Sequence, residues 1–104
     1  MSSRIVLPAK EVGETYTQTF YFASSLSSLE IINTASTTCS VYSGVDANPS
    51  AVISGVSTPA TQVVSQNFTG GVVGTIYSIK CTAVTSLGQT LVQLAYLAVI
   101  PDLP

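Results

Sequence analysis

The sequence predicts an all-β protein, an immunoglobulin-like β-sandwich of about seven antiparallel strands. Residues Val64–Ile100 read as three runs of alternating apolar and polar side chains, punctuated by Gly70-Gly71, Gly74 and Ser86-Leu87-Gly88. Such period-two alternation between turn residues marks strands with one buried face. Further runs of the same kind occur upstream, each followed by a turn signal, at the short spacing a sandwich requires. No stretch carries a helical stripe, a heptad or an internal repeat. The chain has 104 residues, the size of one domain. A sandwich of that size buries roughly 60–70% of the surface its unfolded chain exposes, enough to fold alone.

Residues 1–13 hold three of the eight charged side chains together with Pro8 and Gly13. They are expected to form an N-terminal arm or an irregular first strand, leaving 14–104 as the sandwich domain. Thr15–Phe22 alternates, with Tyr16, Gln18, Phe20 and Phe22 on one face. Leu29–Asn33 is short and apolar and reads as a strand. In Ser36–Ser43, Cys39 and Val41 share one face, Ser40 and Tyr42 the other. The cluster Gly44–Ser50 is a turn, broken by Asn48-Pro49. Ala51–Ser54 reads as an edge strand, Gly55–Pro59 as a loop and Thr61–Phe68 as a strand with Val64 and Phe68 on one side. Gly70, Gly71, Gly74 and Gly88 are the expected turn glycines, and Gly70-Gly71 allows positive φ at the turn into the next strand. Thr75–Thr85 turns Tyr77, Ile79, Cys81 and Ala83 inward and Ser78, Lys80 and Thr82 outward. A hairpin at Ser86–Gly88 leads into Gln89–Ile100.

That last strand is apolar on both faces. Val92, Leu94, Tyr96 and Ala98 form one, and Leu91, Gln93, Ala95, Leu97 and Val99 form the other. Only one face can look into the core. Gln93 marks its own face as the outer one, which would expose Leu91, Leu97 and Val99. An exposed apolar strand invites association unless it is covered. Two covers fit: a partner, including the arm Arg4, Ile5, Val6 and Leu7 of a neighbouring copy, or the chain's own N-terminal segment. Leu91, Leu97, Val99 and that arm are therefore the expected protein interface.

Charged residues make up 8% of the chain, against about 25% in typical domains. A solitary domain uses surface charge to stay soluble and monomeric, so a charge-poor surface points to one covered by neighbours. Net charge is −2 and the bases are Arg4, Lys10 and Lys80, too few for a phosphate-binding patch. No nucleic-acid partner is expected. The opening Met-Ser-Ser-Arg lacks an apolar signal region, and Leu94–Ile100 is far short of a bilayer span. These features predict synthesis in a cytoplasm and no membrane partner.

Reactive chemistry is scarce. The absence of histidine removes Ser-His-Asp and Cys-His catalysis and most metal sites. Cys39 and Cys81 fall on strands expected to neighbour each other in one sheet, which disfavours an inter-sheet disulfide and predicts free, packed thiols. Glu11, Glu14, Glu30, Asp46 and Asp102 show no pairing that a glycosidase needs. Asp46 with Asn48 offers too few oxygens for calcium and reads as an Asx turn. Gly70-Gly71-x-x-Gly74 precedes a strand, so it is no helix-capped phosphate loop. Asn67-Phe68-Thr69 is a glycosylation sequon with no secretory signal beside it. No enzyme activity, cofactor or metal is expected.

Three segments carry a family resemblance: Thr15–Leu26 (TYTQTFYFASSL), Glu30-Ile31-Ile32, and above all Phe68–Gln89. In the last, Gly70-Gly71, Gly74, Tyr77, Ile79 and Cys81 are followed by Thr85-Ser86-x-Gly88-Gln89. The pattern resembles small Ig-like structural proteins of tailed bacteriophages, the fibre–tail adaptor type among them. Ser25, where tryptophan is frequent in such proteins, and the apolar final strand are departures. The resemblance implies a virion protein that docks fibre or connector proteins, made in the host cytoplasm and repeated as a symmetric homo-oligomer in the particle. Its expected partners are tail, connector, fibre or capsid proteins. A capsid decoration or cement protein is the first alternative. A carbohydrate-binding module using the loops Gly44–Ser50, Gly55–Pro59 and Ser86–Gly88 is the second.

Overall fold

The computed structural model describes residues 4–23 and 26–102; the first three residues, Ser24, Ser25 and the last two residues lie outside the described region. It shows eight strands in two sheets: β1 (Arg4–Val6), β2 (Lys10–Glu11), β3 (Thr15–Tyr21), β4 (Ile32–Ser43), β5 (Ile53–Ala60), β6 (Val63–Thr69), β7 (Ile76–Thr85) and β8 (Thr90–Ile100). One sheet runs β1-β8-β7-β4, with β2 also on β8, and the other runs β3-β6-β5. Sequence neighbours β6 and β7 thus lie on opposite sheets, the exchange that makes an immunoglobulin-like sandwich. All pairings are antiparallel except those of β1 and β2, which run parallel to β8.

The chain's own N-terminal segment therefore lies along β8. Leu7 N–H donates to Tyr96 O at 2.9 Å and Val12 N–H to Ile100 O at 2.9 Å, extending the ladder past Pro8. Lys10 fastens the segment to the turn that follows β6. Its side chain is buried, and Nζ donates to the carbonyls of Glu11 (2.8 Å), Val12 (3.2 Å) and Gly70 (2.8 Å). Burial lowers the Lys10 pKa, while the carboxylates of Glu14 and Asp102 pull it back up. Three carbonyl acceptors are what keep a buried ammonium tolerable. Asp102 closes the same corner by accepting the Gly13 N–H at 2.8 Å.

The core sits between the sheets, built from Phe20, Phe22, Val64, Phe68, Tyr77, Ile79, Cys81, Ala83, Ala95, Leu97 and Val99, with Leu7 closing one side. In β7 the alternation is complete: Tyr77, Ile79, Cys81 and Ala83 are buried, and Ser78, Lys80 and Thr82 face out. Cys39 and Cys81 lie on paired strands β4 and β7, and both are free.

Three local expectations are corrected. Leu29–Asn33 is not a strand of its own. Glu30 folds back on the Ser27 N–H (3.0 Å), and β4 begins only at Ile32. Ala51–Ser54 gives way to a 3-10 turn, Pro49–Val52, because Pro49 starts a turn that Asp46 has already set by accepting the Asn48 N–H at 2.8 Å. Gly55–Pro59 lies within β5, which bulges between Ser54 and Thr58. Buried Gln66 stabilises that bulge. Its Nε2 donates to the carbonyls of Ser54 (3.1 Å), Gly55 (3.2 Å) and Asn67 (3.0 Å), and its Oε1 accepts from Ser57 Oγ at 2.7 Å. A strand interrupted by a bulge carries no alternation for sequence reading to detect.

Gly70, Gly71, Gly74 and Gly88 all have positive φ. The tightest is Gly71, at φ +98°, where a Cβ would sit 2.8 Å from Val99 Cγ2. Gly70, at φ +62°, has open space around its Cα. Gly71→Ala should therefore destabilise the fold by about 2–4 kcal/mol and Gly70→Ala by only about 1 kcal/mol, read as shifts in urea midpoint.

Candidate docking surface

The two outer faces of the sandwich differ in chemistry. On the β3-β6-β5 sheet, Thr15 faces Thr69, Thr17 faces Asn67 and Thr19 faces Ser65 across the strands. Their side chains form a hydrogen-bonded ladder at 2.8, 2.5 and 3.4 Å. Such a face is well solvated. The β1-β8-β7-β4 sheet presents Val92, Leu94, Tyr96 and Ala98 from β8, Ile76 and Val84 from β7, Tyr42 from β4 and Val6 from β1. Lys80 is the single cation on the outward side of β7 and β8. Val6 is 82% and Tyr42 62% exposed.

Tyr42 and Tyr96 form the centre of this face, with ring centroids 4.6 Å apart at 46°. Ser78 stands opposite Tyr96 on β7 and is small enough for Tyr42 to reach across from β4. Val6 flanks Tyr96 on the other side, at the register position β1 gives it. Two aromatic rings amid aliphatic side chains, with charge nearly absent, match the composition of a protein interface core.

This overturns the outward placement of Leu91, Leu97 and Val99. Leu97 and Val99 are buried at 0% and 2% exposure, and Leu91 is half-buried against the core. Leu7 is core as well, whereas Val6 beside it faces out. For Arg4 and Ile5 the structure gives the strand position only, opposite Leu94 and Ala95. The misleading signal was Gln93. It lies on the inner side at the sandwich edge, where Nε2 donates to Tyr21 O of the opposite sheet at 2.5 Å. An inward amide is tolerated where a backbone acceptor of the facing sheet is within reach.

Each end of the sandwich carries a smaller apolar tip. At one, Leu29 and Ile31 stand beside Leu87, joined by Ser86 N–H to Ile31 O (2.8 Å) and Ile31 N–H to Ser86 Oγ (3.1 Å). Glu30 anchors this tip: its carboxylate accepts from the Thr85 hydroxyl and the Ser27 N–H. At the other, Val45 is held next to Val72 and Val73 because Tyr77 Oη donates to Asp46 Oδ2 (2.6 Å) and accepts from Val72 N–H (2.7 Å). Burial, aided by the Asp46 carboxylate, pushes the Tyr77 phenol up to about 12, so it stays a donor at neutral pH.

Nucleophiles are quiescent. Burial pushes the Cys39 thiol up to about 12 and the Cys81 thiol up to about 11, far above the range of reactive cysteines. Among the described residues no group of three His, Cys, Asp or Glu side chains could hold a metal, and no helix is long and apolar enough to cross a membrane.

A family model described as podophage GP4 fiber-tail adaptor protein gp77 matches residues 10–98. The chain belongs to that family. Membership in this adaptor family implies a tail-associated structural role and a place in the virion. No curated protein matches the chain. The matched span runs from Lys10 to Ala98, so it takes in both sheets and nearly all of the apolar outer face of the adaptor.

Two outcomes follow from this geometry. Hydrogen bonds from Thr85 and then Ser27 hold the Glu30 carboxyl below its usual 4.5. Its contribution to stability is complete above the unfolded pKa and disappears as pH falls through the lower folded value. Urea midpoints of the parent protein should therefore drop from pH 5 to pH 2.5, and Glu30→Gln should flatten that drop. Leu97→Ala should cost about 2–5 kcal/mol in chemical denaturation, the signature of a core residue.

Proposed function

We propose that this protein is a passive docking adaptor at the junction of fibre and tail, which binds its neighbours with the outer face of the β1-β8-β7-β4 sheet. The observation that carries the reading is the contrast between the two outer faces. Both belong to one sandwich of low charge, yet along β3 and β6 the outer face is a ladder of hydroxyl and amide groups that ends at Tyr21, whereas along β8 and at the ends of β7 it is Val, Leu, Ile and Tyr, bordered by the serines and threonines of β4 and of the middle of β7. A monomer with no partner gains nothing from an apolar outer face centred on two tyrosines. An adaptor that must be covered on one side gains its binding energy there.

Partner contact at this face needs no catalysis, cofactor or metal. Burial of the Tyr42–Tyr96 pair supplies affinity, and the apolar tips at the two ends of the sandwich add orientation. Specificity then comes from shape and from the charge of Lys80, since a partner with an acidic group opposite it is preferred over one with a basic group.

The experiment is incorporation into particles. Tyr96→Ala and Leu94→Asp should leave the thermal midpoint of the isolated protein within a few degrees and reduce its amount per particle at least tenfold. Equivalent changes on the hydroxylated face, such as Thr17→Asp, should leave incorporation intact. Quantitative mass spectrometry against the major capsid protein gives the copy number at once. Roughly a dozen copies fits a tail adaptor, and hundreds would instead mark a shell decoration. Normal incorporation of Leu94→Asp would overturn the assignment of this face.

A further inference from the structure

The two edges of the β1-β8-β7-β4 sheet are treated differently. The β8 edge is closed by β1 and β2. At the other edge, β4 has a ladder partner only in β7 among the described residues. Natural edge strands are normally protected by charge, proline or brevity. β4 has none of these: Ile32–Ser43 contains no Asp, Glu, Lys, Arg or Pro, and it is the longest strand in the protein at 12 residues. The two edges of the other sheet are shorter: β5 is interrupted by its bulge and by Pro59, and β3 has seven residues, with its last carbonyl, that of Tyr21, taken by Gln93. The β4 edge also borders a cleft of about 180 Å³ between the sheets, lined by Ala35 and Thr37 on one side and Gly55, Ser57 and Gln66 on the other and bridged by the Thr37 and Ser57 hydroxyls at 2.7 Å.

We infer that the β4 edge pairs with the β4 edge of a second copy of this chain, antiparallel and about a two-fold axis at Thr38. The occupant follows from the sequence of the strand. Register with β7 is unbroken from Thr34 to Val41, and bulges lie at both ends, so the straight part is centred here. Within it, Ala35–Val41 reads Ala-Ser-Thr-Thr-Cys-Ser-Val and is nearly palindromic in chemistry. A two-fold at Thr38 sets Ala35 against Val41, Ser36 against Ser40, Thr37 against Cys39 and Thr38 against itself. Ala meets Val, Ser meets Ser and Thr meets Thr, the Thr37 hydroxyl meets the Cys39 thiol, and no charge stands on either side to repel an identical strand. Antiparallel self-pairing is the isologous contact such a strand permits, and Thr-rich cross-strand pairs are favourable. The pairing would set the two outer faces side by side, with the Ser36, Thr38 and Ser40 rows of the two β4 strands along the seam. It stands on the β4 edge alone and does not require the docking role assigned to that face.

Sedimentation velocity on the purified chain over a concentration series tests this. The parent should show a monomer–dimer equilibrium. Ser36→Lys/Ser40→Lys places like charges opposite each other twice across the axis and should weaken the dimer about tenfold, with the thermal midpoint of the monomer retained. Ser36→Glu/Ser40→Glu should do the same alone, and an equimolar mixture of the two variants should restore the dimer. In a Cys39→Ser background, Thr38→Cys should form an intermolecular disulfide on mild oxidation, because facing strand positions lie within disulfide reach. A chain that is monomeric at every concentration, or a mixture that does not restore pairing, overturns the inference. So does a monomeric parent whose Lys variant fails to enter particles, since the edge would then receive a strand from a different protein. Normal self-association combined with normal incorporation of Leu94→Asp would instead refute the docking face and leave the edge pairing standing.

Discussion

β8 is hydrogen-bonded along both edges, to β7 on one side and to β1 and β2 on the other, and the arrangement of the whole molecule depends on that double pairing. A strand apolar on both faces is a liability at a sheet edge. Here it is made internal by the first residues of the same chain. Parallel pairing of β1 and β2 with β8 requires a long connection, and the rest of the sandwich is that connection. The join is secured away from the core by Lys10 on the Gly70 carbonyl and by Asp102 on the Gly13 amide. Two of the few charged side chains in the protein are thus used to fix the N-terminal segment rather than to decorate the surface.

Once β8 is internal, its alternation can serve two purposes. Ala95, Leu97 and Val99 fill the core, while Val92, Leu94 and Tyr96 tile the outside. The same residues that would make an isolated hairpin aggregate become a flat, rigid, apolar wall. Rigidity matters for an adaptor, because a preformed surface loses little conformational entropy when it is covered. The hydroxyl ladder on the opposite sheet presents polar groups to water without charge.

Much of this was legible in the sequence. The inward set Tyr77, Ile79, Cys81 and Ala83, the faces of β3, and the free cysteines on neighbouring strands followed from period-two alternation and from the order of strands in a sandwich. The face of β8 was not legible. When both faces of a strand are apolar, a single polar residue decides the reading, and Gln93 is inward because an acceptor from another sheet happens to stand opposite it. Lys10, Glu30 and Gln66 were missed for a related reason. Each is a polar side chain buried by backbone groups from distant or irregular segments, and side-chain periodicity contains no record of where carbonyls and amides converge.

These buried polar residues also explain how a chain with so little charge holds a defined shape. Apolar burial is non-directional and would accept several strand registers. Lys10, Glu30 and Gln66 each satisfy backbone groups that regular ladders leave open: the Gly70 carbonyl at the β6–β7 turn, an amide in the segment before β4, and carbonyls at the β5 bulge. A shifted register would strand those groups without partners, at a cost of about 1–3 kcal/mol apiece. Directional bonding at the irregular points thereby selects one arrangement of the strands. That leaves the rest of the surface with little part in fixing the strand order, so its composition is set by demands other than stability.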